Sequence, residues 1–189
     1  TPQGTDAAAR GGVVAVGSGD LDVPGLRDVL PRLGVAPCFD AVCVAVQDHG
    51  FSPRESNRVL RFAFWEEAVA ARRALVDLFY EPAQIPEAFT RLRAAADLAA
   101  ELADGGPVLA ADTGPAALYG VLADAAGDDA VLVNAGNGHT VCVVAREGRL
   151  AGVFEHHTTA LDGPTLDDYL RRFLAGELDS AAVREGGGH

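Results

Sequence analysis

The chain contains no lysine and no methionine. All 15 basic residues are arginine, so a P-loop lysine, a Schiff base and a Ser-x-x-Lys nucleophile pair are excluded. Aromatic residues make up only 6%. A core must therefore come from Ala, Val and Leu, which a hydrophobic content of 49% permits in one domain of 189 residues. Positive charge is scarce. The formal net charge of -12 argues against nucleic acid or an anionic membrane as partner. No apolar run reaches membrane-spanning length, and the opening "TPQGTDAAARGG" lacks a signal-peptide core. The expectation is a soluble, cytoplasmic protein. The three cysteines, Cys38, Cys43 and Cys142, lie in or beside apolar runs and are expected as reduced core thiols. They form neither Cys-x-x-Cys nor a three-cysteine iron–sulfur cluster motif.

The pattern that remains reads as mixed α/β. Residues 1–12 are expected as a flexible lead-in and 13–189 as one domain. Val13 to Gly17 is a strand candidate. A helix interrupted at Pro31 follows, then a buried strand over Phe39–Gln47 that ends in "QDHG". "SPRESNRVLRFAFWEEAVAARRALVDLFY" reads as one helix. "PEAFTRLRAAADLAAELADGG" reads as the clearest helix, with Pro86 in its first turn and Gly105 at its stop. Pro107–Asp112 is a strand, "TGPAALYGVLADAAG" a helix, and Ala130–Asn134, Thr140–Arg146 and Arg149–Glu155 are three strands. Glu147-Gly148 is a tight hairpin signal. A helix with Pro164 and Gly176 at its ends, and a short helix running into "GGGH", complete the chain.

Four constellations could carry chemistry. In "NAGNGHT" the backbone of Gly136, Asn137 and Gly138 and the Thr140 hydroxyl suit a phosphate, since glycine permits the positive φ angles of an anion-binding turn; an elaborate β-turn fits equally well. In "DTGPAA" the start of a helix at Thr113 and Gly114 is a natural anion site, although capping by Asp112 or Thr113 explains much of it. All five histidines, His49, His139, His156, His157 and His189, lie in polar loops or at strand ends. With nearby carboxylates they suggest acid–base work or a metal held by His49, His156 and His157. His156 and His157 point to opposite faces of a strand, so at most one of them can face a given site. Finally, Arg54, Arg58 and Arg61 could grip a phosphate or carboxylate, with a solvated helix face as the favoured reading.

The stretch from "ADTGPAALYG" through "VLVNAGNGHT" to "FEHHT" resembles the second phosphate-binding segment of the actin-like ATPase superfamily, which includes sugar kinases, heat-shock chaperones and actin. The wider set "VAVQDHG", "SNRVLRF", "FTRL", "DTGPAA", "NAGNGHT", "FEHHT" and "GGGH" is similar to one uncharacterised family of that superfamily, provisionally labelled pyruvate formate-lyase activating proteins. The resemblance implies a ribonuclease H-like half with a mixed sheet flanked by helices. It implies a small phosphate-bearing ligand, with ATP and magnesium as cofactor; the histidines leave a bound transition metal as the other cofactor expectation. Asn134 stands where the superfamily's loop begins with Asp. An amide is no general base, so Asp112 or Asp48, with His139, becomes the catalytic expectation. No first-half phosphate loop precedes this segment, and the chain opens on Thr1. A missing N-terminal half, or a second copy of the chain, is the expected partner. A metal-dependent His/Asp enzyme and a non-catalytic regulatory module are the rival readings.

Overall fold

The computed structural model describes residues 19–125 and 127–188, except for the side chain of Arg58. The strand candidate at Val13 to Gly17, the flexible lead-in and His189 lie outside the described residues.

Helix α1 (Val23–Arg32) starts where the Asp22 carboxylate accepts from Gly25 N–H. It runs through Pro31 and ends one residue later, so the proline closes the helix rather than splitting it. Strand β1 (Val42–Ala45) is shorter than the expected run. Helix α2 (Asn57–Ala70) is capped by Ser56. The single long helix expected up to Tyr80 is not formed. The chain leaves α2 through Arg72 at φ 49°, makes a 3-10 turn over Leu75–Leu78 and pairs β2 (Phe79–Tyr80) antiparallel with β3 (Val108–Ala111). Burial of Leu75 and Leu78 outweighs the helix propensity of this stretch.

Helix α3 (Thr90–Leu102) begins four residues after Pro86. Its buried stripe of Leu92, Ala95, Ala96, Ala99 and Leu102 follows helical spacing and packs on β1 and β3, which run parallel in register from Val42↔Val108 to Ala45↔Ala111. Helix α4 (Thr113–Ala123) leads to an antiparallel meander of β4 (Ala130–Ala135), β5 (His139–Arg146) and β6 (Arg149–His157). Glu147 at φ 54° and Gly148 at φ 70° make the β5–β6 turn, the double positive φ that a two-residue hairpin favours. Helix α5 (Gly163–Ala175) is capped by Asp162, and α6 (Ser180–Glu185) by Asp179.

The protein is mixed α/β, with two three-stranded sheets in the orders β1-β3-β2 and β4-β5-β6, flanked by helices. A single mixed sheet was expected. Instead β4 pairs with β5 alone among the described strands, and α4 separates it from β3. The second sheet is buried on both faces. Its front, with Leu132, Val141 and Val143, packs on Trp65, Leu78 and Leu118. Its back, with Cys142 and Phe154, packs on Tyr169 and Val183. The front therefore faces the first sheet's end of the molecule, and the site lies there.

Candidate functional site

Asp48 and Asp112 follow the C-terminal ends of two adjacent parallel strands, a place where α/β sheets commonly bind ligands. Each carboxylate caps a helix. Asp48, buried after β1, accepts from Gly50 N–H and from Leu92 N–H, both at 2.8 Å. Leu92 is the third residue of α3, whose own N-cap Phe89 offers no side-chain acceptor. A carboxylate from another element thus completes that helix start. Asp112 accepts from Gly114 N–H at 2.8 Å and, through its other oxygen, from Asp48 N–H at 2.8 Å. One link joins both expected acid–base residues.

Arg61 of α2 enters from the side. It is buried, at 7% exposure, so the solvated-face reading fails for this arginine. Its Nη1 lies 2.8 and 2.7 Å from the two oxygens of Glu155, and its Nη2 lies 3.5 Å from Asp112 Oδ1. Glu155, at 2% exposure, faces the front of β6. The ion pair ties the two sheets together, and losing one member would strand the other in a dry interior. A Cβ at Gly114 would be a tight contact, 3.2 Å from Asp112 Oδ1 and 3.3 Å from Arg61 Nη2. Arg54 lies in an exposed loop, its backbone N–H bonded to Ser52.

Antiparallel partners share a sheet face, so the register sorts the remaining candidates. His139↔His157 and Val141↔Glu155 are front pairs, and Asn134↔Val141 adds Asn134 to that row. Thr140↔His156 belongs to the back. His139 Nδ1 lies 3.9 Å from Glu155 Oε1, and its ring centroid lies 4.8 Å from His157 and 6.4 Å from His49. Asp48, His49, Arg61, Asp112, His139, Glu155 and His157 thus form one continuous group. His156 is not part of it: fully buried, it stacks at 5.4 Å on Tyr169, and its Nδ1 lies 3.1 Å from the His157 carbonyl. The metal set His49, His156 and His157 is therefore divided by the sheet. Among the described residues no group of three or more His, Cys, Asp or Glu side chains is placed to hold a metal ion.

The glycine loop is tighter than the sequence suggests. Strand β4 runs on to Ala135, leaving a turn of Gly136, Asn137 and Gly138. Neither glycine takes a positive φ, so the left-handed residue of an anion-binding nest is missing. Gly136 N–H already donates to the His139 carbonyl at 3.0 Å. The Thr158 hydroxyl donates to the Gly136 carbonyl at 2.7 Å and lies 3.0 Å from the Thr140 hydroxyl. A hydroxyl has one proton, so Thr140 must be the donor in that pair. Its proton is spent inside the fold, not held out to a phosphate.

Beside Asp48, Arg61 and Asp112 opens a cleft of about 120 Å³ walled by Phe64, Trp65, Tyr80 and Phe89. Glu67 and Arg73, 3.4 Å apart, stand at the same cleft. Burial pushes the Tyr80 phenol above its ordinary pKa, so it remains a proton donor at neutral pH. Thr113 and Gly114 meet the cleft only through the start of α4, beside the lining residue Pro115. Glu155 and the aromatic wall escaped the sequence reading, whereas Arg61 was weighed there as a carboxylate grip with a solvated face favoured. The signal for Glu155 was present: an acid at the centre of the alternating strand "VFEHH" is out of place unless something buried pairs with it.

Fold and site define a mixed α/β domain with an aromatic cleft and a buried carboxylate–guanidinium–imidazole group where its two sheets meet. The chain belongs to the family described as "Putative pyruvate format-lyase activating enzyme (DUF1786)", whose model matches residues 5–189. No match was found among curated proteins or among solved structures. A radical activating enzyme would need thiolates gathered on an iron–sulfur cluster. The cysteines here do not fit one. Cys38 and Cys43 are exposed, contrary to the expectation of core thiols, because Cys43 alternates outward on β1. Cys142 is buried in the other sheet, its thiol pushed up to about 12 by burial.

Proposed function

We propose that the protein is an actin-like, ribonuclease H-like ligand-binding half that takes a small phosphate-bearing ligand, such as a nucleotide, into the aromatic-walled cleft beside Asp48 and Asp112. The observation that carries this reading is the meeting of Asp48 and Asp112 at the ends of parallel strands, on the floor of an aromatic-walled cleft. A planar base would lie against Trp65, Phe64 or Tyr80. The lining is acidic, because Asp48, Asp112 and Glu67 outnumber Arg61 and Arg73. A bare phosphate would be repelled, so the phosphate would enter with magnesium, which one or two carboxylates, waters and phosphate oxygens suffice to hold. The strand–glycine turn–hairpin–strand order after α4 supports the superfamily resemblance. A partner half of the actin-like pattern, or a second copy of the chain, would close the other side.

Calorimetry of the full-length protein with ATP, ADP and a phosphate monoester tests the reading, each with and without magnesium. Heat with magnesium alone is expected. No heat from any of the three with magnesium would remove the reading. A non-catalytic module is the second reading, favoured by the caps: Asp48 and Asp112 already accept from backbone N–H groups at every oxygen. Binding without turnover in the same samples would select it.

A further inference from the structure

Glu67 and Arg73 put one carboxylate and one guanidinium on the wall of a largely apolar cleft. Their backbones are fixed. The Glu67 carbonyl accepts from Ala71 N–H at the end of α2, Arg73 N–H donates to the Ala68 carbonyl, and the Arg73 carbonyl accepts from Leu150 N–H of β6. A single contact of 3.4 Å, from Arg73 Nη2 to Glu67 Oε1, joins the two side chains, which are 38% and 66% exposed. Such a pair adds little to stability, so a ligand opens it at small cost.

The pair lies at a set distance from the floor. Glu67 follows Arg61 by six residues on α2, about 9 Å along the helix at about 1.5 Å per residue. Phe64 falls midway, its ring tilted against Phe89 at 4.6 Å. Tyr80 feels the charges of Arg73, Glu67 and Asp112 alike. A planar ring on that aromatic surface therefore has the Asp48–Asp112 floor at one end and a carboxylate beside a guanidinium at the other. That is the interval between the phosphate of a nucleotide and the far edge of its base.

A carboxylate offers two acceptors and a guanidinium a fork of donors. Guanine alone among the common bases carries two adjacent N–H donors, N1 and N2, next to two adjacent acceptors, O6 and N7. It fills both forks. Adenine offers a carboxylate only its N6 amino group, and cytosine only its N4 amino group. We propose that the cleft selects a guanine nucleotide, with Glu67 accepting from N1–H and N2–H and Arg73 donating to O6 and N7. The assignment rests on the nucleotide reading of the cleft and names the base which that reading leaves open.

Trp65 is the chain's single tryptophan and lines the cleft, so its emission reports occupancy in the unaltered protein. The protein is titrated with GDP, ADP and CDP, each with magnesium, by that signal and by calorimetry. GDP is expected to bind at least about tenfold more tightly than ADP or CDP, the discrimination of one good bidentate contact. In Glu67→Gln an amide nitrogen replaces one acceptor with a donor, and the ratio of GDP to ADP affinity should fall close to one. The ratio is taken within one variant, so partial misfolding does not mimic the result. ADP or CDP binding as tightly as GDP, or a ratio unchanged in Glu67→Gln, overturns the guanine assignment while the nucleotide reading stands. No response to any of the three removes both.

Discussion

Glu155 and His156 are neighbours on one strand, almost equally buried, and they live in opposite chemistry. On the front of β6, Glu155 meets Arg61 through both oxygens and Asp112 stands behind the same guanidinium. On the back, His156 lies under the glycine run Gly186–Gly188, and its Nε2 has no hydrogen-bond partner. Gly188 forms a bridge to His156 itself. Strand alternation alone separates the two environments. The front meets buried polarity with charge, whereas the back combines the Thr140–Thr158 hydroxyl pair with close packing on His156. A ligand or proton has something to act on at the front. The back holds that front strand in place.

The largest expected effect is on the front. Arg61→Met leaves Glu155 and Asp112 as uncompensated buried acids, which costs about 3–5 kcal/mol. A fall in Tm on the order of 10 °C should follow for a chain of this size. The double variant Arg61→Met, Glu155→Leu removes both ends of the main pair and should recover part of that loss. If the double variant is no more stable than the single one, charge balance is not what distinguishes the front.

On the back the expected loss is smaller and steric. In Gly188→Ala the new methyl would stand 2.5 Å from Val183 Cγ1 and 2.8 Å from the Glu155 carbonyl, an overpacking cost of about 1–3 kcal/mol. Gly163→Ala is its control, because a Cβ there meets nothing within 4 Å. Denaturant midpoints compare the two. An equal, negligible effect at both positions would mean that the glycine run is not packed on His156.

How much of this contrast the sequence could show depends on range. Local rules found the Glu147-Gly148 hairpin, the meander and the opposite facing of His156 and His157, because turn chemistry and alternation act over a few residues. Capping was legible at Asp112, which serves the helix beside it, but not at Asp48, whose helix starts more than 40 positions later. Arg61 looked like a surface residue because its partners, Asp112 and Glu155, are 51 and 94 positions away. The glycine turn misled in the other direction. Its composition suits an anion nest, yet Thr158, outside the motif, takes up its carbonyl. The break after α2 was hidden because Leu75 and Leu78 fit a helix and a buried turn alike.

A third comparison sets the two caps against each other. Asp48→Ala and Asp112→Ala should each cost about 1–2 kcal/mol, as helix caps do. Asp112→Ala also removes an acid from Arg61, so it should perturb calorimetric ligand binding at the cleft, while Asp48→Ala acts first on the start of α3. Hydrogen exchange at Leu92 and Gly114 reads each cap separately. Faster exchange at both amides in either single variant would mean that the Asp48–Asp112 link, not the individual cap, is the unit.

The effect smallest at neutral pH is a pH dependence of the back face. Burial raises the Cys142 thiol to about 12, against about 8.5 in an unfolded chain. For an acid whose folded pKa is raised, the unfolded state loses its proton first. Stability is then fully present below about pH 8.5 and declines as pH rises toward the folded value. Cys142→Val should flatten this alkaline slope with little change at pH 7, since the swap is small and the site apolar. Thiol titration of the native protein gives the same contrast directly. Exposed Cys38 and Cys43 should react with a disulfide reagent at once, and Cys142 only after denaturation. Prompt reaction of all three would show that the back of the sheet opens as readily as its edge, and would remove the rigid support on which the front site's geometry depends.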